Sequence, residues 1–135
     1  MPWHQWVDHT SEVQLQVKAD SFAGIAAEAG RALAGLLLRG EAAAPDGARQ
    51  TLKVSSHDRE ALLVDWLNEI LYIAETRLWV PVEFDILEAS ATHLRANARG
   101  VPVAIAPSLV KAATFHGLQV EEGEDGLRAE VIFDV

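Results

Sequence analysis

The sequence predicts an α+β fold in which two helices pack on a mainly antiparallel β-sheet. Three observations support this: short segments where apolar and polar residues alternate, two longer segments with apolar residues at helical spacing, and a glycine-containing turn near the end. Strands interspersed with two helices and closing on antiparallel pairs are typical of α+β domains. The 135 residues suit one domain and show no repeat or linker, so we expect a single domain over residues 1–135.

Apolar periodicity and capping residues predict the two helices. Apolar positions from Phe22 to Leu37 follow helical spacing, Asp20 and Ser21 offer N-caps, and Gly40 marks the end. A second helix is predicted from about Asp58 to Glu75. Because its apolar face is unusually broad, we expect little of this helix to contact water.

The strands are predicted from period-two alternation. Two prolines in VPVAIAPSL indicate a connection or an edge rather than a central strand. The Asp125-Gly126 step in EEGEDG predicts a closing hairpin, and a slip in the alternation at His116 and Gly117 predicts a bulge in its first arm. The predicted strands before the hairpin are at residues 13–18, 52–54, 80–88 and 93–99.

Composition and charge restrict the function. The net charge of −9, from 11 Lys and Arg against 20 Asp and Glu, argues against direct nucleic-acid binding and favours a basic partner or cations. The absence of cysteine excludes disulfides, thiolate nucleophiles and sulfur-ligated zinc. No secretory signal or long apolar stretch is recognised, so we expect a cytoplasmic protein without a membrane partner.

The first candidate site is acidic and joins the two ends of the chain. Asp134 and the carboxylate of Val135 are adjacent, and such a pair at 4 Å repels by about 1 kcal/mol in water and about 4 kcal/mol at a partly screened surface. If the first and last strands meet, Glu12 joins them, and a hard divalent cation such as Ca²⁺, Mg²⁺ or Mn²⁺ would convert this repulsion into binding. Solvated carboxylates at strand ends are the more common arrangement.

The other candidate groups are histidines and one lysine. His9 and His116 flank the ends of the acidic set, although a histidine bonded to the backbone is more common than a ligand at such spacing. No zinc motif, activated nucleophile or nucleotide-binding loop is present, so we do not expect an enzyme. Lys111 opens the penultimate strand, where a solvated lysine is the ordinary expectation.

Four separated segments, in order, resemble the archease family. DHTSEVQL is similar to that family's Glu/Asp-His-Thr-Ala-Asp-Ile-Gly signature, and DREALLVDWLNEILY to its second helix. VKAATFHGLQV is similar to its Val-Lys-Ala-Ile-Thr-Tyr-His segment, and the final FDV to its Pro-Asp-Ile ending. The resemblance covers about residues 3 to 135 and includes the abrupt terminus.

The resemblance implies an accessory protein of an RtcB-type RNA ligase, which uses GTP and Mn²⁺ to join RNA ends in tRNA splicing or RNA repair. Such a protein promotes guanylylation and multiple turnover of the ligase, and it contacts RNA only indirectly through the ligase. Carried over by position, the family's metal-binding acids fall on Glu12 and Asp134, with Val135 supplying the chain end. Its functional lysine falls on Lys111 and its histidines on His9 and His116, as contacts to the partner or nucleotide.

Two departures from the family pattern affect the metal site. Glu12 stands where the family has Asp, and Gln14 where it has Gly, so the geometry and preferred cation can differ. We expect a divalent cation with Ca²⁺ favoured and Mg²⁺ or Mn²⁺ as alternatives. Two other functions stay open: a metal-dependent phosphoester hydrolase using the same cluster, and a chaperone-like interaction module acting through an apolar surface.

Overall fold

A computed structural model describes residues 2–8, 11–40, 44–107 and 109–135. The helices are α1 (Phe22–Leu37) and α2 (Arg59–Arg77). The strands are β1 (Trp3–Asp8), β2 (Glu12–Ala19), β3 (Arg49–Ser55), β4 (Trp79–Ala89), β5 (His93–Pro102), β6 (Ala112–Gly123) and β7 (Gly126–Asp134).

The strands form two sheets, and the two helices lie between them. A four-stranded sheet has the order β1-β2-β7-β6, a three-stranded sheet has the order β3-β5-β4, and all the pairings described are antiparallel. Both helices contact both sheets, and one cluster of buried side chains connects the layers. The predicted α+β class with two helices and a mainly antiparallel sheet is confirmed, and the division into two sheets is new information.

Local sequence signals set the helix boundaries. Ser21 caps α1 by accepting a hydrogen bond from the Gly24 N–H at 3.1 Å, and Asp58 caps α2 through the Ala61 N–H at 2.8 Å. Ten residues of α2 are buried, among them Trp66, whose indole N–H donates to the Ala26 carbonyl at 3.0 Å. The expectation that little of this helix contacts water holds for these ten residues, because sheets cover the helix on two sides, whereas Tyr72 and residues 75–77 are exposed.

The edge strand β1 is attached to α1 through a charged cluster. Glu28 accepts hydrogen bonds from His4 at 2.7 Å and from Arg31 at 2.8 Å. Burial alone would raise the pKa of the Glu28 carboxyl, but the hydrogen bonds from His4 and Arg31 outweigh burial and hold this pKa below its ordinary value. The cluster thus stabilises the packing of β1 on the helix while Glu28 is ionised.

The last two strands form the predicted hairpin with its bulge. Thr114 is opposite Ile132 and Gln119 is opposite Glu130, so residues 115–118 of β6 face a single residue of β7. Gly117 lies at the centre of this bulge with a φ of 65°, a conformation that favours glycine. In the described part of the chain, neither helix is both long and apolar enough to cross a membrane.

Candidate functional site

The acidic residues from the two ends of the chain meet at one end of the four-stranded sheet. Glu12, the first residue of β2, is directly opposite Asp134, the last residue of β7. Residues opposite each other in an antiparallel ladder place their side chains on the same face, with Cβ atoms about 5 Å apart. Since the neighbouring pair of Val13 and Phe133 faces the helices, Glu12 and Asp134 lie on the outer face.

Main-chain hydrogen bonds on both sides fix the position of Asp134. The Lys111 N–H donates to the Asp134 carbonyl at 2.8 Å, and the Val135 N–H donates to the Ser11 carbonyl at 3.3 Å. Phe133 is fully buried, with its ring 5.6 Å from that of Trp6, and the side chain of Val135 also packs on the core. The main chain at the end of β7 is therefore held in a defined place.

The structure brings Lys111 to this acidic end and places His116 further along β6. Lys111 directly precedes Ala112, which is opposite Asp134, and its side chain is exposed. The exposed His116 lies in the bulge of β6, which is opposite Val131. His9 lies outside the described residues.

The oxygen donors at this end are suited to a hard cation but few in number. Neither Glu12 nor Asp134 forms a hydrogen bond or ion pair with another described side chain. Over the ranges that the structure covers, no group of three His, Asp or Glu side chains is placed to hold a metal ion. The two side-chain carboxylates offer four oxygens, whereas Ca²⁺ takes six to eight, so a cation held here needs further donors.

Sequence reasoning missed Asn68, which positions this site from α2. Its side-chain amide donates to the Ala113 carbonyl at 3.1 Å and its side-chain oxygen accepts from the Ala113 N–H at 2.8 Å. Asn68 thereby pairs with β6 as a further strand would, next to Ala112 and Lys111. The available signal was a polar residue beside the apolar stripe of an otherwise buried helix.

Asp8 is a second acid at the same end that sequence reasoning did not select. It ends β1 opposite Val13, and therefore shares the sheet face of Val13 rather than that of Glu12. The register thus separates Asp8 from the carboxylate pair across the sheet.

Comparison with known proteins identifies the family. Residues 4–135 match the model of the Archease protein family (MTH1598/TM1083). Protein archease of Methanopyrus kandleri is 29% identical over 144 residues, covering 100% of both chains. Protein archease of Methanosarcina barkeri is 26% identical over 143 residues, covering 98% of this chain and 95% of its own.

Solved structures share the fold. The solution structure of Methanobacterium thermoautotrophicum protein 1598 matches with a TM-score of 0.75 at 23% identity, covering 98% of both chains. The crystal structure of a Thermotoga maritima archease, described as a possible chaperone, matches with a TM-score of 0.62 at 19% identity, over 96% of this chain and 94% of the other. These relatives are described as archeases and not as enzymes, in agreement with the prediction that this chain is not an enzyme. The family match spans nearly every residue, and the chain belongs to the archease family.

Proposed function

We propose that this protein is a metal-binding accessory factor that activates an RtcB-type, GTP-dependent RNA ligase in the cytoplasm. It promotes guanylylation and multiple turnover of the ligase, in tRNA splicing or RNA repair. Membership in the archease family supports an accessory role. The observation that carries the proposal is the direct opposition of Glu12 and Asp134 at one end of the sheet, beside Lys111.

In this proposal Glu12, Asp134 and the carboxylate of Val135 hold a divalent cation, with Ca²⁺ favoured and Mg²⁺ or Mn²⁺ as alternatives. Their proximity supports the assignment, because carboxylates crowded on one face repel until a cation is shared. A bound cation supplies positive charge at an otherwise acidic surface. Since few protein donors are present, we expect weak binding to the free protein and completion of the coordination by groups of the ligase.

Lys111 contacts the nucleotide or a carboxylate of the partner in this scheme, with His9 and His116 as further contacts. The exposed side chain of Lys111, on a backbone fixed to Asp134, supports its part. The net charge of −9 suits docking to a basic, RNA-binding enzyme. Charge complementarity of this kind accelerates association, and this acceleration decreases as the salt concentration rises.

A single-turnover guanylylation assay at defined metal concentrations tests the proposal. The ligase is mixed with wild-type protein, with Asp134→Ala or with Lys111→Ala, and we expect both variants to lose stimulation while remaining folded. Asp125→Ala, in the turn at the opposite end of β7, and Lys18→Ala, at the opposite end of β2, are matched controls that should stimulate normally. Full stimulation by either site variant refutes these roles.

Adding residues after Val135 tests the chain end separately. A short extension converts the terminal carboxylate into an amide and adds bulk beside Ser11. The carbonyl of Ser11 accepts a hydrogen bond from the Val135 N–H. We expect such a protein to fold and yet fail to stimulate the ligase, whereas the same residues added before the first residue have no effect. Turnover of a phosphoester by the purified protein alone would instead favour a hydrolase.

A chaperone-like interaction module is the second candidate, and one observation favours it. Phe115 in the β6 bulge is 59% exposed and Ile105 is 83% exposed, and large apolar side chains are the usual anchors of a protein interface. An activity of this kind would be lost in Phe115→Ser and retained in Asp134→Ala. The two candidates therefore predict opposite results for the same pair of variants.

A further inference from the structure

Four basic side chains share the outer face of the three-stranded sheet. Alternate residues of β3 and β5 point away from the helices, and these outward positions include Arg49, Lys53, Arg95 and Arg99, which we call the basic face. Arg95 is half-buried and the other three are exposed. The inward positions between them carry buried residues such as Leu52 and Ala96. The basic face thus holds four of the 11 Lys and Arg residues of a protein whose net charge is −9.

The register places these cations against one another. Arg49 is directly opposite Arg99, and Lys53 is directly opposite Arg95. Like charges directly opposite in a sheet destabilise it, and an ion pair at 3.6 Å between Arg99 and Glu83 of β4 offsets part of this repulsion. The two cation pairs are about 14 Å apart along the strands, because they are four residue steps of about 3.4 Å from each other.

The residues around the basic face determine which strands an extended anion would follow. Thr51 and Asn97 lie between the two cation pairs and are joined by a 3.1 Å hydrogen bond. On the other side of β5, strand β4 presents Glu83 opposite Arg99 and Glu88 opposite Arg95. An extended anion would therefore lie along β3 and β5, since the acids of β4 repel it.

Few anions other than a phosphate chain fit this surface. Protein interfaces depend on aromatic or apolar anchors at their centre. From Arg49 to Ser55 in β3 and from His93 to Arg99 in β5, the outward positions carry no apolar side chain; besides the four cations they hold Thr51, Ser55, His93 and Asn97. The next outward position of β5 is Val101. Regularly spaced cations on a flat polar strand pair match the repeating charge of a nucleic-acid backbone.

We propose that the basic face binds the phosphate backbone of an RNA strand, each cross-strand pair of cations contacting one phosphate. The phosphate chemistry follows from the face itself, and the choice of RNA rests on the proposed function as an RNA ligase accessory. The net charge of −9 opposes such binding from a distance, so the interaction is weak, local and steeply salt-dependent. Without aromatic side chains for stacking it has little sequence preference.

Fluorescence anisotropy at low salt, with the isolated protein and a single-stranded RNA of about 12 nucleotides, tests the inference. The variant Arg49→Ser/Arg99→Ser should bind at least about tenfold more weakly and lower the salt slope by about 0.7, because one phosphate contact is lost. All substituted side chains are exposed, so thermal unfolding of the variant should remain cooperative.

The chain provides a matched control. Lys18 is directly opposite Arg128 in the other sheet, but Glu121 and Glu130 lie beside this pair. Lys18→Ser/Arg128→Ser therefore removes the same charge in the same arrangement and should bind RNA as the wild type does. Equal loss in both variants, no detectable RNA binding, or equally tight binding of a poly-glutamate peptide of the same length overturns the inference.

The outcome is independent of ligase stimulation. RNA binding is measured without ligase, and guanylylation requires no RNA substrate. A wild-type protein that binds RNA through the basic face and fails to stimulate guanylylation would contradict the proposed function alone. Stimulation by a protein that binds no RNA would contradict this inference alone.

Discussion

Glu12 and Asp134 are directly opposite each other in the ladder between β2 and β7, with both carboxylates on the face turned away from the helices. They belong to the adjacent strands β2 and β7 of the four-stranded sheet, and main-chain hydrogen bonds fix the end of β7. Two negative charges held at this spacing oppose folding slightly until a cation or a partner compensates them. The repulsion between the two carboxylates should therefore be measurable as a lower stability of the isolated, metal-free protein.

Asp134→Asn should stabilise the metal-free protein and remove its response to cations. Without the repulsion from Glu12, we expect a gain of about 0.5 kcal/mol in the free energy of unfolding. Wild-type protein should gain thermal stability when Ca²⁺ replaces a chelator, since a ligand that binds only the folded state stabilises it. The variant should show no such gain in thermal unfolding experiments.

Asp125→Asn serves as the control for this prediction, because it removes the same charge at the far end of the same hairpin. It should keep the full Ca²⁺ response of the wild type. A Ca²⁺ response that survives in Asp134→Asn would place the cation somewhere else.

Asn68→Leu should destabilise the protein by about 2 kcal/mol, since the N–H and carbonyl of Ala113 lose their side-chain partners. The effect should be local as well, with faster amide hydrogen exchange at Ala113 and at Lys111, whose N–H bonds Asp134. Urea unfolding and exchange measured by NMR test both parts.

Asn97→Leu is the matched comparison, because among the described residues the Asn97 side chain bonds only the exposed Thr51 hydroxyl. It should cost well under 1 kcal/mol and leave the exchange at Lys111 unchanged. Equal costs for the two substitutions would mean that Asn68 is not a special support of β6.

Features that depend on local interactions could be predicted from the sequence, and features that depend on contacts between distant residues could not. Caps and periodicity are local, and they predicted a second helix from Asp58 to about Glu75 where the structure has Asp58 as cap and Arg77 as the last residue. The segment WHQWVD was not predicted as a strand, because β1 is an edge strand with mostly exposed residues and no clear alternation. The broad apolar face of α2 predicted that the helix is buried, but it did not predict that a second sheet covers it.

The candidate site, too, could be predicted from the sequence only in part. Its acids could be named from the sequence because strand ends and alternation placed Glu12 and Asp134 on polar positions. Their register could not be derived that way, since it depends on pairing between strands more than a hundred residues apart in the chain. Asn68 could not be assigned a role either, because its partner lies on a strand 45 residues away.

Glu28→Gln should destabilise the protein by about 1 kcal/mol near neutral pH, since the charge-assisted bonds with His4 and Arg31 are weakened. Because the pKa of Glu28 is lower in the folded protein, its contribution is complete above the unfolded-state pKa and is lost as the pH falls through the folded pKa. The stability difference between wild type and variant should therefore shrink towards zero below a pH of about 4.

Urea unfolding at a series of pH values measures this difference. Glu75→Gln, at an exposed position of α2, should match the wild type throughout. A constant difference between wild type and Glu28→Gln from neutral to acid pH would show that ionisation of Glu28 does not stabilise β1 on the helix.

Two glycines of α1 should respond in opposite ways to alanine. A Cβ added at Gly30 would lie 2.7 Å from the ring of Phe84, whereas one added at Gly35 meets nothing within 4 Å. The Phe84 ring is also 5.6 Å from that of the fully buried Trp66, so it cannot move aside without disturbing the core. Gly30→Ala should destabilise by about 1–3 kcal/mol through overpacking, and Gly35→Ala should stabilise by about 0.5 kcal/mol through helix propensity. Because the substitution and the helix are the same, equal effects in urea unfolding would contradict the close packing of α1 on β4.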